Sequence, residues 1–144
     1  MATGYKTIAS GSASTASGRY TSATGTASTS EGNYTEAKGN YSHAEGWGNE
    51  SNKTVAEGAA SHAEGRATKA YGHSSHAEGN MTTAGRIIAD DDPEYSPSDF
   101  AGCHAEGWST KATGRAAHAE GRNTTASGDY SHAAGYNTIA SGSS

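Results

Sequence analysis

The sequence predicts an all-β fold, a parallel β-roll or β-solenoid with fourteen-residue coils, and three observations carry that prediction. Glycine recurs with a step of seven in three runs, at 4 to 46, at 58 to 79 and at 107 to 142. Around it the unit reads Gly-x-x-Ser/Thr-x-Ala-x, as in Gly121-Arg122-Asn123-Thr124-Thr125-Ala126-Ser127. Leu, Val, Ile and Phe are nearly absent: there is no Leu, one Val (Val55), one Phe (Phe100) and four Ile (Ile8, Ile87, Ile88 and Ile139). Such a composition alone reads as disorder, because it buries too little apolar surface to offset chain entropy. Strict periodicity overrules that reading, since a fixed repeat is the signature of a solenoid. A coiled coil shares the period of seven, but its seam needs large apolar residues and its helices tolerate recurrent Gly poorly.

Two kinds of heptad alternate, so the structural unit is fourteen residues. One kind carries His43-Ala44-Glu45, His62-Ala63-Glu64, His76-Ala77-Glu78, His104-Ala105-Glu106 and His118-Ala119-Glu120, with His132-Ala133-Ala134 as a variant. The other reads like Gly32-Asn33-Tyr34-Thr35-Glu36-Ala37-Lys38. Each coil is then two short strands and two glycine-bearing corners. Alternation along a strand places Ser/Thr and Ala inside and the residues flanking Ala outside. Gly is expected where the chain turns, for positive φ or for close approach to the next coil.

Two interruptions break the pattern within a single domain spanning 1–144. The step from Gly46 to Gly58 is twelve, which predicts a bulge at 47–50 and puts Ser51 in the glycine slot of the following heptad. The step from Gly79 to Gly107 is 28, so phase is kept, yet 86–99 has no repeat character and forms an inserted acidic loop. Phe100 then stands in a glycine slot, and Cys103 replaces a Ser. With a rise of ~4.8 Å, about ten coils give a rod of roughly 45 to 50 Å.

Composition also narrows the function classes. The net charge of −5, with Lys and Arg scattered singly, excludes the basic stripe of a nucleic-acid binder. A single cysteine excludes an intramolecular disulfide framework. No secretory signal follows Met1, and no run of ~18 apolar residues predicts membrane insertion. An extracellular destination would therefore need another export route or a lost segment. Nucleophile, base and orienting group do not occur as a set, so the expectation is a non-enzyme without cofactors. A coil lined by Ala, Ser and Thr is thin, which predicts that copies of the chain associate. The stretch Gly4 to Ser12 is nearly repeated as Gly135 to Ser143, which adds end-to-end assembly as an expectation.

The tandem Gly-x-x-Ser-x-Ala-x unit resembles the head repeats of YadA-like trimeric adhesins. Its Ser-His-Ala-Glu-Gly form resembles the SHAEG repeats of bacteriophage tail-fibre proteins. The likeness covers the chain apart from the stretch after Gly46 and the insertion at 86–99. It implies a left-handed β-roll, three chains around one axis and a role in attachment. Where adhesin heads carry aliphatic residues beside Ala, this chain carries His and Glu. The expectation is a structural or attachment segment of a homotrimeric fibre in a virion, with a host cell-surface glycan or protein as target. A bacterial surface adhesin head and a self-assembling extracellular filament are the alternatives.

Candidate site residues follow from stacking the coils. His43, Glu45, His62, Glu64, His76, Glu78, His104, Glu106, His118, Glu120 and His132 form a ladder in which like groups lie one coil apart, and like charges directly opposed are destabilising. Compensation is expected from His and Glu interdigitating in a hydrogen-bonded network at the subunit interface, with His partly protonated. No closed four-ligand spacing is present, so no metal is assigned. Tyr5, Trp47, Trp108 and Tyr136 each follow a glycine of the same phase and are expected along one edge, either stacking on sugars or covering a neighbouring coil. In the insertion, Asp90, Asp91, Asp92, Glu94 and Tyr95 offer a recognition surface, because loops on rigid scaffolds often carry one.

Overall fold

Each unit folds as one longer and one shorter strand, and the longer strands stack separately from the shorter ones. The computed structural model describes residues 1–86 and 97–142. Its first sheet orders β1 (Ala2–Tyr5), β3 (Thr15–Arg19), β5 (Thr29–Asn33), β7 (His43–Trp47), β9 (His62–Arg66), β11 (His76–Asn80), β13 (His104–Trp108), β15 (His118–Arg122) and β17 (His132–Tyr136). The second orders β2 (Ile8–Ala9), β4 (Ser22–Ala23), β6 (Thr35–Ala37), β8 (Thr54–Ala56), β10 (Lys69–Ala70), β12 (Thr83–Ala84), β14 (Lys111–Ala112), β16 (Thr125–Ala126) and β18 (Ile139–Ala140). Every pairing is parallel and in register, with like residues mostly opposed, as in Ala63↔Ala77 and Gly65↔Gly79; in β5, Ser30 takes the alanine position. The fold is an all-β parallel solenoid with fourteen-residue coils, as the period predicts.

Side-chain alternation places the small residues inside. Ala16, Ala23, Ala37, Ala44, Ala56, Ala63, Ala70, Ala77 and their successors are fully buried. Two inner columns differ in how their hydroxyls are satisfied. Ser28, Ser42 and Ser61 each donate Oγ–H to the carbonyl of the glycine three residues earlier, at 2.7 Å. Cys103 occupies the same slot and donates to the Phe100 carbonyl at 3.1 Å and to that of Gly114 at 3.0 Å. Burial pushes its thiol pKa up, which keeps the group protonated and a donor. Most of the threonine column behaves otherwise: Thr35 and Thr54 find partners, but Oγ1 of Thr21, Thr68, Thr82, Thr110 and Thr124 is buried without one. These threonines fill space with their methyl groups.

The glycine rule rests chiefly on close approach. A Cβ at Gly58 would lie 2.1 Å from the carbonyl oxygen of Gly72 one coil on. Gly65, inside β9 rather than at a corner, meets the same obstacle at 2.2 Å from the Gly79 oxygen and also has φ of +104°. The left-handed corner itself falls two residues after the glycine and is taken by non-glycine residues. Fifteen described positions, among them Lys6, Ala27, Tyr41, Ala60, Met81 and Asn123, hold φ between 48° and 61°. That conformation costs an L-residue roughly 1–2 kcal/mol. It persists because the corner N–H is bonded to the preceding coil, as Ala60 N donates to the Asn40 carbonyl at 2.8 Å. Of the two reasons expected for glycine, close approach to the next coil holds throughout the stack, and the positive φ of the corners falls on other residues.

The interruption after Gly46 is a corner loop. Gly46 pairs with Gly32 and Gly65, so it holds the slot expected of Ser51, and Trp47 is still a strand residue paired with Arg66. The additional residues follow Trp47 rather than beginning there. They are closed by Asn49, whose Oδ1 accepts from the Ser51 and Asn52 amides at 3.0 and 2.8 Å. The second insertion leaves β12 and returns through a short 3-10 turn, Pro97–Phe100, before β13 pairs with β11. Phe100 does occupy a glycine slot, since a Cβ on Gly72 would meet the Phe100 carbonyl at 1.9 Å. The described residues therefore make nine coils rather than ten, a stack of about 40 Å at ~4.8 Å per coil.

Candidate functional site

The outward face of the first sheet is chemically uniform over most of its height. Parallel register puts His43, His62, His76, His104, His118 and His132 in one column. Their rings stack with centroids 4.7–5.1 Å apart and planes within 11° of parallel. Two residues along each strand, Glu31, Glu45, Glu64, Glu78, Glu106 and Glu120 form a second column. The two columns are offset by one coil: glutamate begins in β5, where Thr29 holds the histidine position, and ends in β15, after which Ala134 follows. Every histidine consequently has a glutamate on the preceding coil.

That offset shapes the contacts. Nε2 of His43 lies 3.8 Å from Glu31, His62 3.5 Å from Glu45, His76 3.8 Å from Glu64 and His132 3.4 Å from Glu120. Glutamates of the same strand are close as well, with Glu64 3.8 Å from His62 and Glu78 3.7 Å from His76. These separations are mostly longer than hydrogen bonds. Nε2 of His43, His62, His76, His104 and His118 is shut from solvent without a hydrogen-bond partner. The ladder residues do interleave, but as a loose set of contacts within one chain and not as a closed hydrogen-bonded network. His118 is held below the ordinary imidazole value by burial and then by the charges of His104 and His132, against Glu120 and Glu106. Beside the columns runs a shallow groove lined by Glu45, Gly46, Glu64, Gly65, Glu78 and Gly79, open because glycine leaves no side chain there.

A third column closes each strand of this sheet. Its register order is Tyr5, Arg19, Asn33, Trp47, Arg66, Asn80, Trp108, Arg122 and Tyr136. The four aromatics singled out in the sequence thus share one edge, each about half exposed. Arginines intervene: Arg66 lies 4.9 Å from the Trp47 ring, and Arg122 5.0 Å from Trp108 and 5.8 Å from Tyr136. The arginine partners were legible only after aligning residues one coil apart. In the insertion, Asp90, Asp91, Asp92, Glu94 and Tyr95 lie outside the described residues. At its return, Arg115 donates from Nε to the Asp99 carbonyl at 3.0 Å.

A stack of small-residue coils with one long polar face defines a class, that of the fibrous, repeat-built β-solenoids. Such a fold suits a structural role in general. Comparison with protein-family models and with curated proteins finds no match for the chain.

Proposed function

We propose that the chain is a structural, non-catalytic segment of a trimeric fibre of the tail-fibre type, with copies meeting through the His/Glu face. The observation that carries this reading is the one-coil offset. It supplies each of six histidines with a carboxylate on a flat face and leaves five Nε2 atoms closed to water and unpaired. The side chains of both columns remain about a third to a half exposed, so a neighbouring copy can cover the face and pair with their outer polar atoms. The interior supports the same conclusion. Among the described residues, Val55 and Phe100 are the only large apolar side chains buried, so one copy gains little from apolar burial.

Mass in solution, by light scattering on the full chain, tests the assembly. A discrete species of three times 14.5 kDa supports the fibre, and polydisperse rods would favour a filament of end-joined copies. Attachment is assigned to the aromatic edge, where aromatic rings with an adjacent cation offer stacking surfaces to sugars. Trp47→Ala combined with Trp108→Ala should abolish retention on intact bacterial cells or purified cell-wall polysaccharide while leaving mass unchanged. Full retention by the double variant would refute that assignment.

A further inference from the structure

We propose that the His/Glu face binds Zn²⁺ within a single chain, at one central site built on His76 and at a second site of His118, Glu120 and His132. The inference goes beyond the trimer reading, because every ligand comes from one copy. One ligand atom from each of His62, Glu64 and His76 lies within 4.8 Å of the others, and the same is true of His76, Glu78 and His104 and of His118, Glu120 and His132. Two imidazoles and a carboxylate form a set suited to Zn²⁺, with a fourth position for water. Imidazole nitrogen favours such a transition-metal ion over Mg²⁺ or Ca²⁺.

Three further observations point to a cation. The His to Glu separations of 3.4–3.8 Å are too long for good hydrogen bonds. They are close to the ligand-to-ligand edge of about 3.3 Å that follows from tetrahedral bonds of ~2.0 Å. Nε2 of His62, His76, His104 and His118 is shielded from solvent and unpaired, which leaves a ring nitrogen in need of a partner. Six carboxylates stacked one coil apart repel one another, and a divalent ion between coils relieves that repulsion. The glycine-lined groove beside Glu45, Glu64 and Glu78 gives a hydrated ion a way in. The rings stand 4.8–5.1 Å apart and nearly parallel, so binding requires them to tilt toward the ion.

The central triads share His76, and this makes the inference sharp. Only one of them can be filled at a time, so the chain should take two ions. After chelator treatment, the full chain is titrated with zinc chloride and bound metal is counted by equilibrium dialysis. Free zinc is kept too low to fill the single-imidazole group of Glu31, His43 and Glu45. Wild type should hold two ions per chain. His62→Gln should still hold two, because His76, Glu78 and His104 take over, whereas His76→Gln should hold one. Joint Glu64→Gln and Glu78→Gln substitution should also leave one ion without disturbing the ring stack, which covers the case in which a histidine variant misfolds. Absence of saturable uptake, or equal loss in His62→Gln and His76→Gln, would overturn the proposal. Mass recorded on the same samples keeps this outcome separate from the fate of the trimer reading.

Discussion

At the scale of single residues, the interior of the roll is an argument between volume and hydrogen bonding. Serine in one column closes a local bond to a glycine carbonyl, whereas five threonines of the other column, Thr82 among them, bury an oxygen with nothing to bind. An unsatisfied buried hydroxyl costs about 1–3 kcal/mol, and valine has the same shape without that oxygen. Thr82→Val should therefore raise stability by about 1 kcal/mol, read as a higher denaturant midpoint. Ser61→Val at the neighbouring slot should not, because Ser61 Oγ has a partner at 2.7 Å. Legibility differs in the same way. Inward Ser, Thr and Ala could be read from alternation alone, since small size is visible in the residue type. The left-handed corners could not: Ala27, Tyr41, Met81 and Asn123 share no chemistry, and what they have in common is an amide bonded to the preceding coil.

At the scale of the strand and its stack, glycine and histidine set opposite limits. Backbone approach at glycine leaves no space for even one carbon. Gly58→Ala should cost about 3 kcal/mol or prevent folding, because its Cβ would press on the Gly72 carbonyl and not on a movable side chain. Stacked imidazoles bring a pH response instead. His118 has its folded pKa below the ordinary value of 6.5, so the unfolded chain binds more protons there. Its contribution to stability is intact above pH 6.5 and is lost progressively as pH falls through and below that value. Thermal melts should fall on acidification across that window, and His118→Gln should flatten the dependence. An unchanged slope in the variant would place the response elsewhere. The offset between the His and Glu columns was present in the sequence all along. It emerges only when strands are aligned by coil, because along any one strand His-Ala-Glu looks like a pair within its own repeat. Trp47 with Arg66 and Trp108 with Arg122 were hidden for the same reason, being fourteen or more residues apart.

For the whole molecule, periodicity made the architecture readable and interruptions made its length misleading. Dividing the chain by fourteen suggests ten coils, but the loop after Trp47 consumes residues without adding a strand, and the described residues make nine coils. Neither loop disturbs the register of the sheets, which keeps the polar face continuous from Glu31 to His132. The central claim is that this face joins copies of the chain through polar contacts rather than an oily seam. Sedimentation velocity on the full chain, alongside a variant with His62, His76 and His104 all changed to Lys, tests it most directly. The account predicts a single species of three times 14.5 kDa for the wild type and a 14.5 kDa monomer for the variant. A wild-type chain that sediments as a monomer, or a lysine variant that assembles as well as the wild type, would contradict it.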